Sequence, residues 1–203
     1  MIDNWFPTTI WYTDNNLTSE LDFYKSMSLQ ILDKVVRDPH PFGESSLKTT
    51  FWHPIYGHIY NLDSFSQLSE EILNQAVGFL NALGFPGINY DQIEFINMWI
   101  NLIEKYDYHA QHIHSTMGRA FLSGVFYVDT PLGSTLNFGS PYRDSYSPVK
   151  PPLDNDLNYS LIKYDCFPGR LVMFKSNVYH GYDSHGQDKN KISIPFNLSV
   201  KLT

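Results

Sequence analysis

Apolar residues recur at helical spacing in two segments of the first 87 residues. Residues 20–36 place leucine, isoleucine, valine, methionine and tyrosine side chains three or four positions apart, which predicts a helix with Ser19 as its N-cap. Pro39 disfavours helical geometry at the residue before it, so this helix is expected to end just before Pro39. A second helix is predicted over residues 66–83, with Gly84 in the C-cap region.

After Gly87 the helical period is replaced by short β-rich runs that are separated by turns. Strands are predicted in these runs and in one earlier run: residues 5–12, 94–104, 120–128, 135–138, 159–164, 170–175 and 192–200. Short strands preceded by two helices predict a mostly β fold, a β-sandwich or jelly roll with two N-terminal helices packed on one face. One domain is expected over residues 1–203, with a helical N-terminal part over 1–87 and a jelly-roll core over 88–203. Residues 139–156 are rich in proline and serine and are expected to form a long loop.

The composition is that of a globular protein, with 42% hydrophobic and 17% charged residues among 203. The net charge is −7 and the lysines and arginines form no cluster, which argues against nucleic-acid binding because phosphate contacts need concentrated basic side chains. Cys166 is the single cysteine, which excludes an intrachain disulfide and favours a reducing compartment. No apolar run approaches the ~20 residues that span a bilayer, so a cytoplasmic protein without a membrane segment is expected.

The candidate chemistry lies in the segment His112-Ile113-His114. Side chains of an extended chain alternate between two faces, so His112 and His114 project in the same direction while Ile113 points to the other face. His180, just after the strand-like run of residues 169–176, supplies a third imidazole. Neutral imidazole is the commonest protein ligand for divalent iron, copper, zinc and nickel. The three histidines therefore predict a metal site with coordination positions left open.

Six motifs, taken in order along the chain, resemble those of a known family. They are FPTTI near the start, MWIN before the histidines, HIH, SGVFYVDTP, PGRLVMFKSNVYHGYD and KISIPFN. Their order resembles the prolyl-hydroxylase-like Fe(II)/2-oxoglutarate-dependent oxygenases found in marine bacteria and phages, most specifically over residues 96–198. The resemblance implies a double-stranded β-helix fold, the cofactors Fe(II) and 2-oxoglutarate, and a dioxygenase that acts as a hydroxylase. A phage-encoded member would work in the cytoplasm of the host cell.

The resemblance also implies metal-binding roles for the histidines. Enzymes of the wider superfamily hold iron with a His-x-Asp/Glu…His triad that leaves positions for co-substrate and dioxygen. On this chain His112 takes the first position and His180 the last, while His114 stands where the carboxylate would be. A third neutral ligand leaves the iron site one unit more positive than a carboxylate would. The alternative is that His114 lies outside the ligand set and that water or another side chain completes the iron site.

Co-substrate residues follow from the same resemblance. Lys191 and Ser193 match an Arg-x-Ser pattern that binds the distal carboxylate of 2-oxoglutarate, with lysine in place of arginine and without its bidentate fork. Some relatives carry an Asn-x-Tyr pair about eleven residues before the first metal histidine, and Asn101 fits that place. Ile103 stands where the tyrosine would be, so a tyrosine contact is expected from elsewhere, with Tyr127 as the candidate.

Two alternative interpretations stay open at the level of sequence. The first is a cupin-like three-histidine metalloenzyme that does not use 2-oxoglutarate, although residues 115–126 lack the glutamate that usually follows His-x-His in cupins. The second is a non-catalytic β-sandwich binding module. For the oxygenase, we expect a small-molecule or peptide substrate together with dioxygen, and residues 5–12 could form an exposed edge that pairs in a homodimer.

Overall fold

The computed structural model describes residues 8–35, 47–114, 119–140, 153 and 159–201. The helices are α1 (Leu21–Lys34) and α2 (Ser66–Ala82). The strands are β1 (Ile10–Thr13), β2 (Lys48–Thr49), β3 (Ile93–Met98), β4 (Asn101–Ile103), β5 (His109–His112), β6 (Leu122–Asp129), β7 (Thr135–Gly139), β8 (Leu161–Asp165), β9 (Leu171–Lys175), β10 (Tyr179–Tyr182) and β11 (Lys191–Val200). Within these described ranges, no helix is both long and apolar enough to cross a membrane.

The strands form two sheets with antiparallel pairing. The larger sheet has the order β1-β9-β6-β11-β4-β2, with β3 also paired to β11, and the smaller sheet has the order β5-β10-β7-β8. The inner faces of the two sheets meet in an apolar cluster, to which the larger sheet contributes Val125, Val172 and Phe174 and the smaller sheet Leu136 and Phe138. Two stacked sheets with these crossovers form a jelly roll, which confirms the predicted fold class.

The long strand β11 separates a helical layer from the space between the sheets. One face packs into the apolar cluster that includes both helices, through Ile192, Ile194, Phe196 and Leu198. The other face points between the sheets and carries Lys191, Ser193, Pro195 and Asn197. This alternation follows from the period of two residues along a strand, and it brings four polar or ring-containing side chains to the interior of the jelly roll.

The helices pack on the outer face of the larger sheet, as predicted. Tyr24 of α1 stacks on Phe65, with ring centroids 5.8 Å apart. It also packs edge-on against Phe126 of β6, with ring centroids 6.2 Å apart. Ile72 and Phe79 of α2 are fully buried in the same cluster. Each fully buried side chain of this size contributes roughly 1.5–3 kcal/mol, so the helical layer is held mainly by apolar burial.

The predicted end of α2 is confirmed and the predicted ends of α1 are wrong. Gly84 follows α2 with a φ of 90°, and its N–H donates to Asn81 O. Ser19 is not the N-cap of α1, because it lies inside a 3₁₀ turn over Thr18–Glu20 that leads directly into the helix. The helix ends at Lys34, earlier than expected, since Val35 is already extended.

The predicted strand over residues 94–104 divides into β3 and β4 at Trp99. Trp99 N–H donates to Pro195 O on β11, but Pro195 has no N–H to return the hydrogen bond. The ladder therefore breaks there, as expected opposite proline. The predicted strand over residues 5–12 corresponds to β1, at the edge of the larger sheet. Residues 5–7 of this predicted strand lie outside the described residues. Most of the predicted loop over 139–156 lies outside them as well.

Gly124 of β6 provides a test of the packing between β6, β9 and β11. A Cβ atom at Gly124 would stand 2.3 Å from the Phe196 ring and 2.6 Å from Val172 O. Gly124→Ala is therefore expected to lower the free energy of unfolding by about 1–3 kcal/mol, as overpacked cores do. Gly186→Ala is the control, since a Cβ there meets nothing within 4 Å. Denaturant unfolding checks both, and equal stability of the two variants would contradict this packing.

Candidate active site

The three predicted metal histidines lie together between the sheets. His112 ends β5 and pairs in register with His180 of β10. His114 lies just beyond β5, where its N–H donates to Ser176 O at 2.9 Å. Ring centroids are 4.8 Å apart for His112 and His114, 4.4 Å for His112 and His180, and 4.9 Å for His114 and His180. One ligand nitrogen from each ring lies within 4.8 Å of the others, so a single ion can contact all three.

Hydrogen bonds determine which nitrogen of each ring faces this common point. The Nδ1 atoms of His112 and His180 lie 2.9 Å from the backbone oxygens of Ala110 and Val178. The Nδ1 atom of His114 lies 2.6 Å from Asn197 Oδ1. Because these oxygens only accept hydrogen bonds, each Nδ1 carries the proton and each Nε2 presents a lone pair.

The two Nε2 atoms of His112 and His114 are 2.8 Å apart. Two lone pairs at this distance repel each other unless a cation or a proton lies between them. Two imidazole nitrogens bound at right angles to one ion, each at ~2.1 Å, would be ~3 Å apart, so the observed spacing fits a shared metal ion. The donor set and its geometry therefore fit a transition metal.

Burial keeps His114 and His180 neutral. Desolvation lowers the pKa of His114 to about 4, against the opposing effect of its hydrogen bond to Asn197. Desolvation, with the neighbouring His112 and His114, also lowers the pKa of His180 well below its usual value. A depressed pKa means that the neutral form persists at neutral pH, and this is the form that binds a metal.

Lys191 lies at the other end of the same pocket, and we call this the lysine end. Its side chain is buried, with Nζ 3.5 Å from Cys166 Sγ and about 5 Å from the ring centroids of Tyr127 and Tyr182. Burial lowers the pKa of Lys191. Within the described residues no carboxylate pairs with this ammonium group, which is costly for a buried cation and indicates a place for an anionic ligand.

The remaining predicted site residues line this pocket as well. Asn101, Tyr127 and Ser193 lie on the neighbouring strands β4, β6 and β11. Asn101 Oδ1 is buried and has no hydrogen-bond partner within the described chain. Burial, together with the nearby Cys166 thiol, raises the pKa of Tyr127, so its hydroxyl stays protonated and can donate a hydrogen bond. The structure therefore brings the predicted residues together in one pocket, and their roles stay predictions.

Sequence reasoning missed three polar residues of this pocket and its surroundings. Tyr182 stands two positions after His180 on β10, so both side chains share a face, and its buried hydroxyl has no partner among the described residues. Asn197 and Ser123 contact His114 from β11 and β6. Asparagine is depleted in strands, so an asparagine at position 197, on the same face as Lys191 and Ser193, could have indicated a further residue of the site.

With this geometry in view, comparison with known proteins identifies the family. Residues 97–197, about half of the chain, match the model of the family described as "Putative 2OG-Fe(II) oxygenase". The chain belongs to the 2-oxoglutarate-Fe(II) oxygenases. The matched region includes every predicted site residue. By sequence, no curated protein matches this oxygenase.

Three solved structures share the fold of this oxygenase. A prolyl-4-hydroxylase of Pseudomonas putida has a TM-score of 0.68 at 11% identity, over 96% of this chain and 94% of that one. A Trichoplax adhaerens prolyl hydroxylase, in complex with a hypoxia inducible factor peptide fragment, has a TM-score of 0.65 at 13% identity, over 94% and 83%. HygX of Streptomyces hygroscopicus, with nickel and 2-oxoglutarate bound, has a TM-score of 0.61 at 10% identity, over 95% and 83%. These likenesses show the fold, and the family match makes Fe(II) and 2-oxoglutarate the cofactors of this enzyme.

Proposed function

We propose that this dioxygenase is a hydroxylase, with Fe(II) held by His112, His114 and His180 and 2-oxoglutarate held at the lysine end of the pocket. The convergence of three Nε2 lone pairs on one point is the observation that carries the proposal. Three protein ligands leave open positions for a chelating co-substrate and dioxygen. His114 replaces the usual carboxylate, so the protein contributes no negative charge to the metal.

Lys191 supports the placement of 2-oxoglutarate. A buried ammonium group without a carboxylate partner in the described chain is stabilised when an anion binds, and 2-oxoglutarate carries a second carboxylate away from its metal-chelating end. His180 and Tyr182 are two residues apart on β10, or ~7 Å, and Tyr182 contacts Lys191 through its ring. This spacing suits a five-carbon dicarboxylate that reaches from the metal to Lys191.

The polar groups around Lys191 complete this proposed subsite. Ser193 and Asn101 offer further hydrogen-bonding groups from the paired strands β11 and β4. Tyr127 presents a protonated hydroxyl from β6. We assign these residues to the orientation of 2-oxoglutarate because all three line the pocket with Lys191. The buried Asn101 Oδ1 also has no partner in the described chain, which is costly until a ligand satisfies it.

The chain's own part in the reaction is ligation, orientation and exclusion of water. When bound, Fe(II) and 2-oxoglutarate activate dioxygen, and the overall reaction converts substrate, 2-oxoglutarate and dioxygen into hydroxylated substrate, succinate and carbon dioxide. The three histidines, each with a neutral imidazole, would hold the metal, and Lys191 would fix the far end of the co-substrate. Apolar walls from Val125, Leu136 and Phe174 limit the access of water.

For the substrate, we propose a small molecule or a peptide. The Trichoplax adhaerens enzyme was solved with a peptide and HygX with hygromycin B, so the shared fold accepts both classes. Trp99 lines the pocket beside His114, and Phe51 packs edge-on against Trp99 with ring centroids 4.7 Å apart.

Four further properties remain predictions from the sequence. They are an origin in a marine bacterium or phage, a cytoplasmic location, the lack of nucleic-acid binding and a homodimer.

The test is a turnover assay with purified, Fe(II)-loaded enzyme. Succinate formation and dioxygen uptake are measured with and without 2-oxoglutarate, against a panel of prolyl peptides and polar small molecules. A hydroxylase forms succinate in step with a product that has gained one oxygen atom. Dioxygen uptake that does not depend on 2-oxoglutarate would contradict the proposal.

A further inference from the structure

We infer that Asn197 is the positioning residue that makes His114 a metal ligand. The inference rests on the proposed metal site and goes beyond it, because it explains how a histidine can serve at the place of the carboxylate. A carboxylate ligates through either of two equivalent oxygens. An imidazole ligates only through a nitrogen that lacks a proton, so the other nitrogen must keep the proton and be held in place.

Asn197 provides this hold from the interior face of β11. Its side chain is buried, with a relative exposure of 1% for the residue. Asn197 Oδ1 lies 2.6 Å from His114 Nδ1 and accepts a hydrogen bond from the N–H at that position. The residue is 83 positions from His114 along the chain, so the contact depends on the stacking of the two sheets.

Further contacts orient the Asn197 amide. Its Nδ2 donates to Asn97 Oδ1 at 2.8 Å, which leaves Oδ1 as the atom that faces His114. The hydroxyl of Ser123 lies 2.6 Å from the same Oδ1 and 2.8 Å from the hydroxyl of Ser176. Ser176 in turn accepts the backbone N–H of His114 at its carbonyl oxygen. The side chain and the backbone of His114 are thus both tied to one buried polar cluster, which we name the asparagine network (Asn97, Ser123, Ser176 and Asn197).

The other two histidines do not need such a network. His112 and His180 each direct Nδ1 to the backbone oxygen two residues earlier, at 2.9 Å. Any residue at those earlier positions offers the same oxygen. His114 depends on a side chain, so its ligand form can be removed by one substitution that leaves the backbone intact.

The test compares Asn197→Leu with Asn197→Asp in the full-length protein. Leucine has nearly the same shape but no acceptor, whereas aspartate keeps an acceptor oxygen. Co(II) is titrated into the metal-free proteins by calorimetry. Asn197→Leu is expected to bind Co(II) about 10–100-fold more weakly, the usual effect of losing the partner of a ligating histidine, and Asn197→Asp to bind at least as tightly as the wild type.

A spectroscopic readout separates positioning from general damage. The Co(II)-loaded wild type should show three exchangeable, paramagnetically shifted ¹H signals from the three Nδ1–H groups, and Asn197→Leu should lose one of them while Asn197→Asp keeps all three. Ser69→Ala is the control, because it removes a buried hydroxyl of α2 that does not line the pocket. Circular dichroism of the metal-free variants verifies folding.

The outcomes distinguish this inference from the proposed function. Equal Co(II) affinity and three signals in Asn197→Leu would overturn the role of Asn197 and leave the metal site intact. Weak binding by Asn197→Asp would also overturn it, and this holds even if Asn197→Leu fails to fold. A wild-type protein that binds no Co(II) would remove the metal site itself, and the inference with it.

Discussion

His180→Ala is expected to abolish stoichiometric Fe(II) binding and with it the turnover of 2-oxoglutarate. His180 is buried, pairs with His112 across β10 and β5, and directs Nε2 to the common point of the three rings. Loss of an outer partner of a ligating histidine already costs about 10–100-fold in metal affinity, so loss of the ligand itself should cost more than about 100-fold. Anaerobic Fe(II) titration and succinate formation measure the two effects.

The control for this prediction is His53→Gln. His53 lies in the turns after β2, outside the pocket, and its Nδ1 accepts from the N–H of Ile55 and of Tyr56. Glutamine keeps an acceptor there, so Fe(II) binding and turnover should match the wild type. A His180→Ala enzyme that retains one tightly bound Fe(II) would remove His180 from the ligand set.

Lys191→Met is expected to weaken 2-oxoglutarate binding strongly and to leave Fe(II) binding unchanged. Removing one partner of a buried charge pair costs about 2–5 kcal/mol, which corresponds to about 30-fold to several thousand-fold in Kd. The substitution also removes a buried cation that has no carboxylate partner in the described chain, so the stability of the protein without co-substrate should not fall. Calorimetric titration with 2-oxoglutarate and thermal unfolding measure the two effects.

Weaker 2-oxoglutarate binding without a loss of protein stability identifies a ligand-binding lysine, because replacing a lysine with only a structural role would lower the stability of the protein. Lys189→Met is the matched control, since Lys189 lies two residues earlier and pairs with Asp129 outside the pocket. It should bind 2-oxoglutarate as the wild type does. Unchanged 2-oxoglutarate affinity in Lys191→Met would move the co-substrate away from the lysine end.

The fold could be predicted where the local pattern decides the structure. The β-rich run over residues 192–200 and the glycine after α2 are local signals, and both led to correct elements. The division between β3 and β4 was missed because it depends on Pro195, almost a hundred residues later, which lacks the N–H that the ladder needs opposite Trp99. The start of α1 was missed because a 3₁₀ turn takes the place of a side-chain cap.

For the candidate site too, local sequence patterns predicted some features, and the others depend on the assembled fold. The His-x-His spacing is local, and it correctly indicated two imidazoles on one side of the chain. His180 was expected just after a strand and instead lies within β10, which pairs it with His112. The asparagine network could not be predicted, because Asn97, Ser123, Ser176 and Asn197 meet only when β3, β6, β9 and β11 are assembled.

The most direct test of the three-histidine site is an anaerobic titration of the Fe(II)-loaded protein with 2-oxoglutarate, followed through the metal-to-ligand charge-transfer band in the visible spectrum. Chelation of 2-oxoglutarate should give a saturable band in the wild type, no band in His112→Ala, and a band in Lys191→Met only at much higher 2-oxoglutarate concentrations. Fe(II) binding in the wild type without any such band would contradict chelation of 2-oxoglutarate at the three-histidine site.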